Sequence, residues 1–125
     1  MSGVTLDAGG LIALDRDHRR VIALLARAAE LGARVTVPAT ALAQAMRQPA
    51  HQARLARLIR QPTTAVAPLD TADAIAVGAL LAATRTSDIA DAHVVICARR
   101  SRASIVTSDL RDLARLDPNA HLIRV

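Results

Sequence analysis

Short apolar runs alternate with longer helical patterns along this chain, and that alternation constrains its fold more than any other feature. The runs are nearly continuous Val, Ile, Leu and Ala, which is typical of strands covered on both faces in a parallel sheet. Helices then form the outer layers. Because no Gly/Ser linker, repeat or low-complexity tract divides the chain, we predict one α/β domain over residues 1–125, with three α/β/α layers and a parallel sheet of about five strands.

The hydrophobic pattern also predicts where the elements begin and end. The predicted strands are Val4–Leu6, Arg34–Val37, Thr64–Ala67, Ser104–Thr107 and Leu122–Val125. The predicted helices are Gly10–Leu14, Arg19–Leu31, Ala39–Arg47, Gln52–Ile59, Thr71–Thr84, Ile89–Arg100 and Leu110–Leu116. Gly32 stands where a helix would end, and Ser87 and Ser108 stand where helices would begin, as capping preferences predict.

Composition excludes several classes of protein. With 52% hydrophobic residues, the 125-residue chain has ample material for a core, so disorder is not expected. No apolar run approaches the roughly 18 to 20 residues of a membrane span, and the N-terminus lacks a secretory pattern, so we expect a cytoplasmic protein without a membrane contact. Cys97, the only cysteine, lies in an apolar run and is predicted to be a small buried hydrophobe.

The charge of the chain suits a polyanionic partner. All 16 basic residues are arginines, and the formal net charge is +5. Arginine binds phosphate with two parallel hydrogen bonds. The chain has no Phe, Tyr or Trp, so a nucleic acid could not be held by stacking its bases on aromatic rings. Phosphate contacts and shape would have to hold it.

Aspartates follow two of the predicted strands. Asp7 comes directly after the first strand, and Asp109 follows the fourth. Asp91 lies in the first turn of the helix Ile89–Arg100, with Asp88 three residues earlier on the same side. Ligands of parallel sheets bind beyond the carboxyl ends of the strands, so these side chains are expected to converge there.

Each of these aspartates could simply cap a helix. Together, in a chain without lysine, they would repel one another unless a cation neutralised them. Carboxylate oxygens suit Mg²⁺ or Mn²⁺, and we therefore predict a site for one of these ions.

The remaining acids and the histidines are weaker candidates. Asp70 is predicted to cap a helix, and Asp112 either reaches the rim of the site or is solvated. Turn positions without a further role are predicted for Asp15, Asp17 and Asp117. No zinc site is expected, because no cysteine pair or zinc-ligand spacing accompanies the histidines His18, His51, His93 and His121.

Four segments together resemble the PIN domains, and especially the VapC-like toxins of bacterial toxin-antitoxin pairs. They are LDAGGLIAL, VPATALAQAMR, SDIADAHVVICA and IVTSDLRDL, and the resemblance spans nearly the whole chain. It implies a PIN-like fold and a metal-dependent endoribonuclease that uses Mg²⁺ or Mn²⁺. It also implies an RNA substrate, a cognate antitoxin and a homodimer.

The resemblance assigns residues to the expected site. It implies that Asp7, Asp91 and Asp109 are the catalytic, metal-binding acids and that the Thr107 hydroxyl orients a carboxylate or a water. Asp7 is the candidate bridge between two ions, because a strand end holds it most rigidly. Gln44 departs from the family, which usually has a glutamate there. An amide carries no charge and cannot act as a base, so we hypothesise that Asp88 supplies the missing charge.

Arginines are the candidate phosphate contacts. The sequence suggests Arg47, Arg85, Arg99, Arg100 and Arg102. In the segment 52–60, Arg54, Arg57 and Arg60 form a basic stripe that suits an RNA backbone or an acidic antitoxin segment. The neighbouring Leu55, Leu58 and Ile59 suit a dimer or antitoxin contact, or equally the core.

Three other functions are compatible with parts of the pattern. A PIN-like domain inactivated at Gln44 could bind RNA or protein without catalysis, and metal binding separates this alternative from a nuclease. A response-regulator-like domain also gathers aspartates at strand ends but relies on a lysine, which this chain lacks. A haloacid-dehalogenase-type phosphatase needs a second aspartate two residues after the first, where this chain has Gly9.

Overall fold

A computed structural model describes residues 3–125 and contains one parallel sheet. Its strands are β1 (Val4–Leu6), β2 (Val35–Pro38), β3 (Thr64–Ala67), β4 (Ser104–Thr107) and β5 (Leu122–Arg124). The five strands lie in the order β3-β2-β1-β4-β5, and every pair is parallel. The predicted α/β fold with a five-stranded parallel sheet is confirmed.

Seven α-helices connect the strands. They are α1 (Ala8–Asp15), α2 (Arg19–Glu30), α3 (Ala39–Ala45), α4 (Ala53–Arg60), α5 (Thr71–Thr84), α6 (Ile89–Ser101) and α7 (Leu110–Leu116), with a short 3₁₀ turn at Pro49–His51. Within residues 3–125, no helix combines the length and apolar composition that crossing a membrane requires.

Helix ends differ from the prediction where aspartates act as caps. The N-cap of α6 is Asp88 and that of α7 is Asp109, so the serines predicted at these starts stand one residue too early. An aspartate carboxylate accepts the orphan N–H of the first turn at least as well as a serine hydroxyl does. Gly32, as predicted, follows the end of α2 with a left-handed φ of 63°.

The direction of the winding reverses at β1. From β1 the chain builds outward to β2 and β3, and then it crosses back to β4 on the other side of β1. Leu6 pairs with Val106, and the Asp7 N–H donates to the Val106 carbonyl at 3.2 Å. The carboxyl ends of β1 and β4 therefore meet at the switch point of the sheet, where α/β folds bind ligands.

The core lies around the central strands, since β1 and β2 are buried along their whole length. Cys97 is buried on α6, as predicted, although it is not part of the hydrophobic core cluster. Leu55 and Leu58 of α4 also belong to the core, so the core alternative left open for these two residues is the observed one.

Candidate metal centre

Asp7 is a buried carboxylate at the switch point. It ends β1 and begins α1, and its Oδ1 accepts the Gly10 N–H at 2.7 Å. Only 3% of its surface is exposed. Burial raises the pKa of Asp7, the charge of Asp109 raises it further, and hydrogen bonds from Thr107 and Gly10 oppose the rise. A charge on this carboxyl is therefore costly for the folded protein.

Thr107 links the two strand-end aspartates. Its hydroxyl hydrogen-bonds the Asp7 carboxyl and accepts the Asp109 N–H at 2.9 Å. Thr107 is itself fully buried at the end of β4. Because both of its partners are fixed by strand ends, this hydroxyl holds Asp7 and Asp109 in a defined relative position.

Two glycines allow α1 to approach β4 closely. A Cβ atom on Gly10 would lie 2.8 Å from the carbonyl oxygen of Val106, and one on Gly9 would collide with the Ser108 hydroxyl. Real Cβ atoms essentially never approach a neighbour so closely. Backbone packing beside the Asp7 carboxylate therefore explains Gly10, whereas the Ser108 hydroxyl near Gly9 can rotate away.

Asp91 feels the charge of four other carboxylates. Burial raises its pKa to about 7, and four neighbouring carboxylates add to the rise, namely Asp88, Asp7, Asp112 and Asp109. The cleft beside Asp91 has a volume of about 300 Å³, and its charged lining residues are Arg85, Asp88, Asp91, Asp112 and Arg115. The structure thus brings the strand-end and helical aspartates into one group, which we call the carboxylate pole.

Three members of the pole also cap helices. One oxygen of Asp7, Asp88 and Asp109 accepts the backbone N–H three residues onward, at 2.7, 2.9 and 3.2 Å. The capping alternative is therefore correct for each of them. It does not exclude a ligand, because each carboxylate has a second oxygen with further acceptor capacity.

The donor set fits a hard divalent cation. It consists of oxygen atoms. Burial, and then repulsion from neighbouring carboxylates, raises the pKa values of Asp7 and Asp91, and a hydrogen bond with Asp109 followed by its charge raises the pKa of Asp112. Arg115 partly offsets the rise at the exposed Asp112. A cation bound among these oxygens would remove the repulsion, and oxygen ligands are those that Mg²⁺ and Mn²⁺ prefer.

Gln44 and Arg47 lie in a different groove. Both line a cleft between α1, α3 and the 3₁₀ turn, together with Asp15, Arg16 and His51. Gln44 is exposed on α3. In the described chain, no carboxylate of the pole lines this groove.

The other arginines predicted to bind phosphate lie near opposite ends of α6. Arg85 lines the cleft beside Asp91. Arg99 instead binds Asp117 at 3.1 Å, and Arg100 binds Asp73. Both lie in the last turn of α6, whereas Asp91 lies in the first. Asp117 takes the predicted turn position, where its Oδ1 accepts the Asn119 N–H at 3.0 Å, and its other oxygen pairs with Arg99.

A second cluster was not predicted from the sequence, which favoured no metal site at His93 and a small buried hydrophobe at Cys97. Asp73, His93 and Cys97 place one carboxylate oxygen, one ring nitrogen and one sulfur within 4.8 Å of one another. Asp70 caps α5 as predicted, by accepting the Asp73 N–H at 2.9 Å, but the Asp73 side chain turns inward. The sequence signal that could have found the cluster is the four-residue spacing of His93 and Cys97, which puts both on one face of a helix.

Comparisons with known proteins agree on the fold. A family profile described as PIN domain matches residues 4–118. The crystal structure of VapBC2 from Rickettsia felis, bound to a DNA fragment from their promoter, matches with a TM-score of 0.68 and 14% identity over 98% of each chain. FitAcB from Neisseria gonorrhoeae matches with a TM-score of 0.61 and 18% identity over 97% of this chain and 96% of the other. A comparison with curated proteins gave no significant match.

Proposed function

The chain belongs to the PIN domain family, and from this membership we propose that it is a metal-dependent endoribonuclease and the toxin of a toxin-antitoxin pair. PIN domains are generally nucleases. The observation that carries the proposal is the carboxylate pole, where Asp7, Asp91 and Asp109 converge at the switch point and repel one another. Such a group is costly for a fold and useful for binding a cation.

In this proposal Asp7, Asp91 and Asp109 hold Mg²⁺ or Mn²⁺. A divalent ion at the pole would lower the pKa of a water molecule and offset negative charge on the scissile phosphate. Asp7 is the most rigid ligand, because Thr107 and Gly10 fix its orientation. Asp88, whose carboxylate raises the pKa of Asp91, provides a further negative charge beside it. Replacing Asp88 by Asn should weaken Mn²⁺ binding about as much as Asp91→Asn does, and unchanged binding would reject this role.

Arginines beside the pole would bind the phosphates of RNA. Arg85 and Arg115 line the same cleft as Asp91. The phosphates of an RNA strand entering the cleft would therefore contact a guanidinium group before they reach the carboxylates. Arg99 and Arg100 do not enter the proposal, because their guanidinium groups bind Asp117 and Asp73. The net charge of +5 would favour the approach of any polyanion.

A groove between α1, α2 and α4 supports the antitoxin partner. Its apolar floor contains Leu14, Ile22 and Leu25, its rim carries Arg54 and Arg57, and its volume is about 280 Å³. An amphipathic segment with acidic residues would complement both parts. The two similar structures are complexes of a toxin with an antitoxin. Arg57→Glu should abolish co-purification of a co-expressed cognate antitoxin, and intact co-purification would exclude this groove.

The exposed side of α5 supports the homodimer. Its residues Ala72, Ile75, Gly78 and Ala79 are exposed and uncharged, and Ile75 is 69% exposed. An apolar helix face of this kind is costly in water unless another surface covers it. Ile75→Glu should convert a dimer to a monomer in sedimentation velocity, and an unchanged dimer would place the interface elsewhere.

Calorimetric titration with Mn²⁺ tests the metal site without knowledge of the RNA. Wild type should bind at micromolar to millimolar concentrations, and Asp109→Asn should not. Asp70→Asn is the matched control, because Asp70 also caps a helix through its side chain but is not among the groups that shift the pKa of Asp91. Asparagine caps as well as aspartate does, so both variants should fold.

RNA cleavage by the same proteins then separates the two candidate functions. Cleavage by wild type and Asp70→Asn, but not by Asp109→Asn, supports the nuclease. If wild type neither binds Mn²⁺ nor cuts RNA, the alternative holds, in which Gln44 marks a PIN-like domain that binds RNA or protein without catalysis.

A further inference from the structure

We propose that Asp73, His93 and Cys97 form a second metal site, which takes a borderline-soft divalent ion such as Zn²⁺. All three side chains are buried, with exposed fractions of 3%, 0% and 2%. One potential ligand atom from each lies within 4.8 Å of the other two. α6 contributes His93 and Cys97 from adjacent turns, and α5 contributes Asp73. The inference does not depend on the proposed nuclease function.

The spacing between Asp73 and His93 suits coordination. His93 Nε2 and Asp73 Oδ2 are 3.3 Å apart. A hydrogen bond between a charged imidazole and a carboxylate is shorter, about 2.7 to 2.9 Å. In a tetrahedral site with bonds of about 2.0 to 2.1 Å, two ligand atoms lie about 3.3 to 3.4 Å apart. The pair is therefore already spaced as two ligands of one ion would be.

The outer atoms of these ligands are held by other residues. His93 Nδ1 lies 2.7 Å from the Thr40 hydroxyl oxygen, and the second Asp73 oxygen binds Arg100. Metal-bound histidines almost always donate their other N–H to an acceptor, which fixes the ring and leaves the inner nitrogen unprotonated. With an ion bound, Nδ1–H would donate to the Thr40 hydroxyl and the Nε2 lone pair would face the metal. Without an ion, the other tautomer donates its Nε2–H to the Asp73 carboxylate and accepts the Thr40 hydroxyl proton at Nδ1.

Cys97 is the polar group in the cluster that lacks a partner. Within residues 3–125 its thiol makes no hydrogen bond, although the residue is 98% buried beside Asp73. Binding a metal would displace the thiol proton to solvent and form a sulfur–metal bond. Burial raises the pKa of this thiol to about 11. The apparent affinity should therefore rise with pH, because binding releases the thiol proton.

The donor chemistry separates this site from the carboxylate pole. A set of one sulfur, one imidazole nitrogen and one carboxylate oxygen suits Zn²⁺ or Co²⁺, whereas an oxygen-only set suits Mg²⁺ or Mn²⁺. The Cys97 thiolate would add a second negative charge beside the Asp73 carboxylate, which Arg100 already pairs, and a divalent ion would offset that added charge. An ion held there would join α5 to α6.

Titration with Co²⁺ tests the site directly. The reduced, chelator-treated wild-type chain should develop a thiolate-to-cobalt charge-transfer band in the near ultraviolet that saturates at one equivalent. The chain has no Phe, Tyr or Trp, so this region of the spectrum has no aromatic background. Excess Mg²⁺ should leave the band unchanged, and Zn²⁺ should remove it by competition.

Three variants complete the test. Asp109→Asn should keep the band, because the pole contains no sulfur, whereas Cys97→Ala should lose it. Thr40→Val retains all three ligands and should weaken Zn²⁺ binding by roughly 10- to 100-fold. Far-ultraviolet circular dichroism establishes that each variant is folded. The proposal is overturned if folded wild type shows no thiolate band, or if Zn²⁺ binds wild type and Cys97→Ala equally well.

Discussion

The carboxylate pole and the buried cluster of Asp73, His93 and Cys97 share helix α6 but treat carboxylate charge in opposite ways: the protein leaves it uncompensated at the pole and compensates it in the cluster. Asp91 and His93 stand two residues apart on α6. At the pole, carboxylates face other carboxylates and share an open cleft. In the cluster, the buried Asp73 carboxylate faces a guanidinium and an imidazole.

The pole and the cluster therefore contribute differently to the stability of the fold. Repulsion at the pole disfavours the charged, folded state until a cation binds, so the pole is expected to contribute function rather than stability. The cluster compensates its carboxylate within the protein and ties α3, α5 and α6 together through Thr40, Asp73 and His93. It is expected to contribute stability with or without an ion.

Asp7→Asn is expected to give the largest difference between an effect on RNA cleavage and an effect on stability. Loss of a metal ligand should lower the initial rate of RNA cleavage by about a hundredfold or more, because the ion supplies several kcal/mol of transition-state stabilisation. The free energy of unfolding, from urea titration, should not fall, since a buried charge is removed and asparagine still caps α1. Cleavage within tenfold of wild type would show that the pole is not the reaction site.

Asp73→Ala should have the reverse effect on stability. Removing this carboxylate leaves His93 Nε2 buried without a partner and Arg100 without its ion pair. The expected loss in the free energy of unfolding is about 1 to 3 kcal/mol, from urea unfolding followed by circular dichroism. Asp70→Asn, three residues earlier, should change it little. An equal urea midpoint for Asp73→Ala and wild type would mean that the cluster does not hold the helices.

The pH dependence of stability should separate the two regions further. The pKa of Asp91 is raised to about 7 in the folded state, so the folded protein binds more protons than the unfolded chain between about pH 4 and 7. Metal-free stability should therefore fall as pH rises through this range, by about 1 kcal/mol once solvent screening of the half-buried carboxyl is allowed for. Asp91→Asn should flatten the dependence, and Mn²⁺ should reverse it. A metal-free protein that grows more stable toward pH 7 would contradict the repulsion.

The smallest expected effects are the stability changes caused by replacing two glycines with alanine. A Cβ atom added to Gly78, in the middle of α5, would meet nothing within 4 Å, so Gly78→Ala should stabilise the protein by about 0.5 to 1 kcal/mol. Gly10, beside the pole, would place its Cβ 2.8 Å from a backbone carbonyl, so Gly10→Ala should instead destabilise it. Thermal unfolding of the two variants compares them, and a gain in stability from Gly10→Ala would show that the contact with β4 is easily relaxed.

Much of this arrangement follows from local sequence rules. The strand-end rule places Asp7 and Asp109 at one edge, because parallel strands point their carboxyl ends the same way. The first-turn position of Asp91 turns it toward the same edge. The exact helix starts were less accessible, since serine and aspartate are both good caps and adjacent candidates compete. That competition explains the one-residue errors at α6 and α7.

The contacts of the arginines could not be predicted in the same way. Arg99 and Arg100 have the composition of phosphate ligands, but their partners Asp117 and Asp73 lie 18 and 27 residues away in the chain. Pairing of this kind depends on how α6 packs against α5 and α7. Periodicity describes one helix at a time and carries no information about which neighbour faces it.

Local patterns were enough to predict the succession of strands and helices along the chain, the parallel sheet and the edge to which the aspartates belong, because hydrophobic period and capping act over a few residues. The contacts of His93 with Thr40, 53 residues away, and with Asp73, 20 residues away, arise only when α3, α5 and α6 pack together. Those contacts depend on the rotation of each helix about its axis and on the crossing angles between helices, which many weak contacts set jointly.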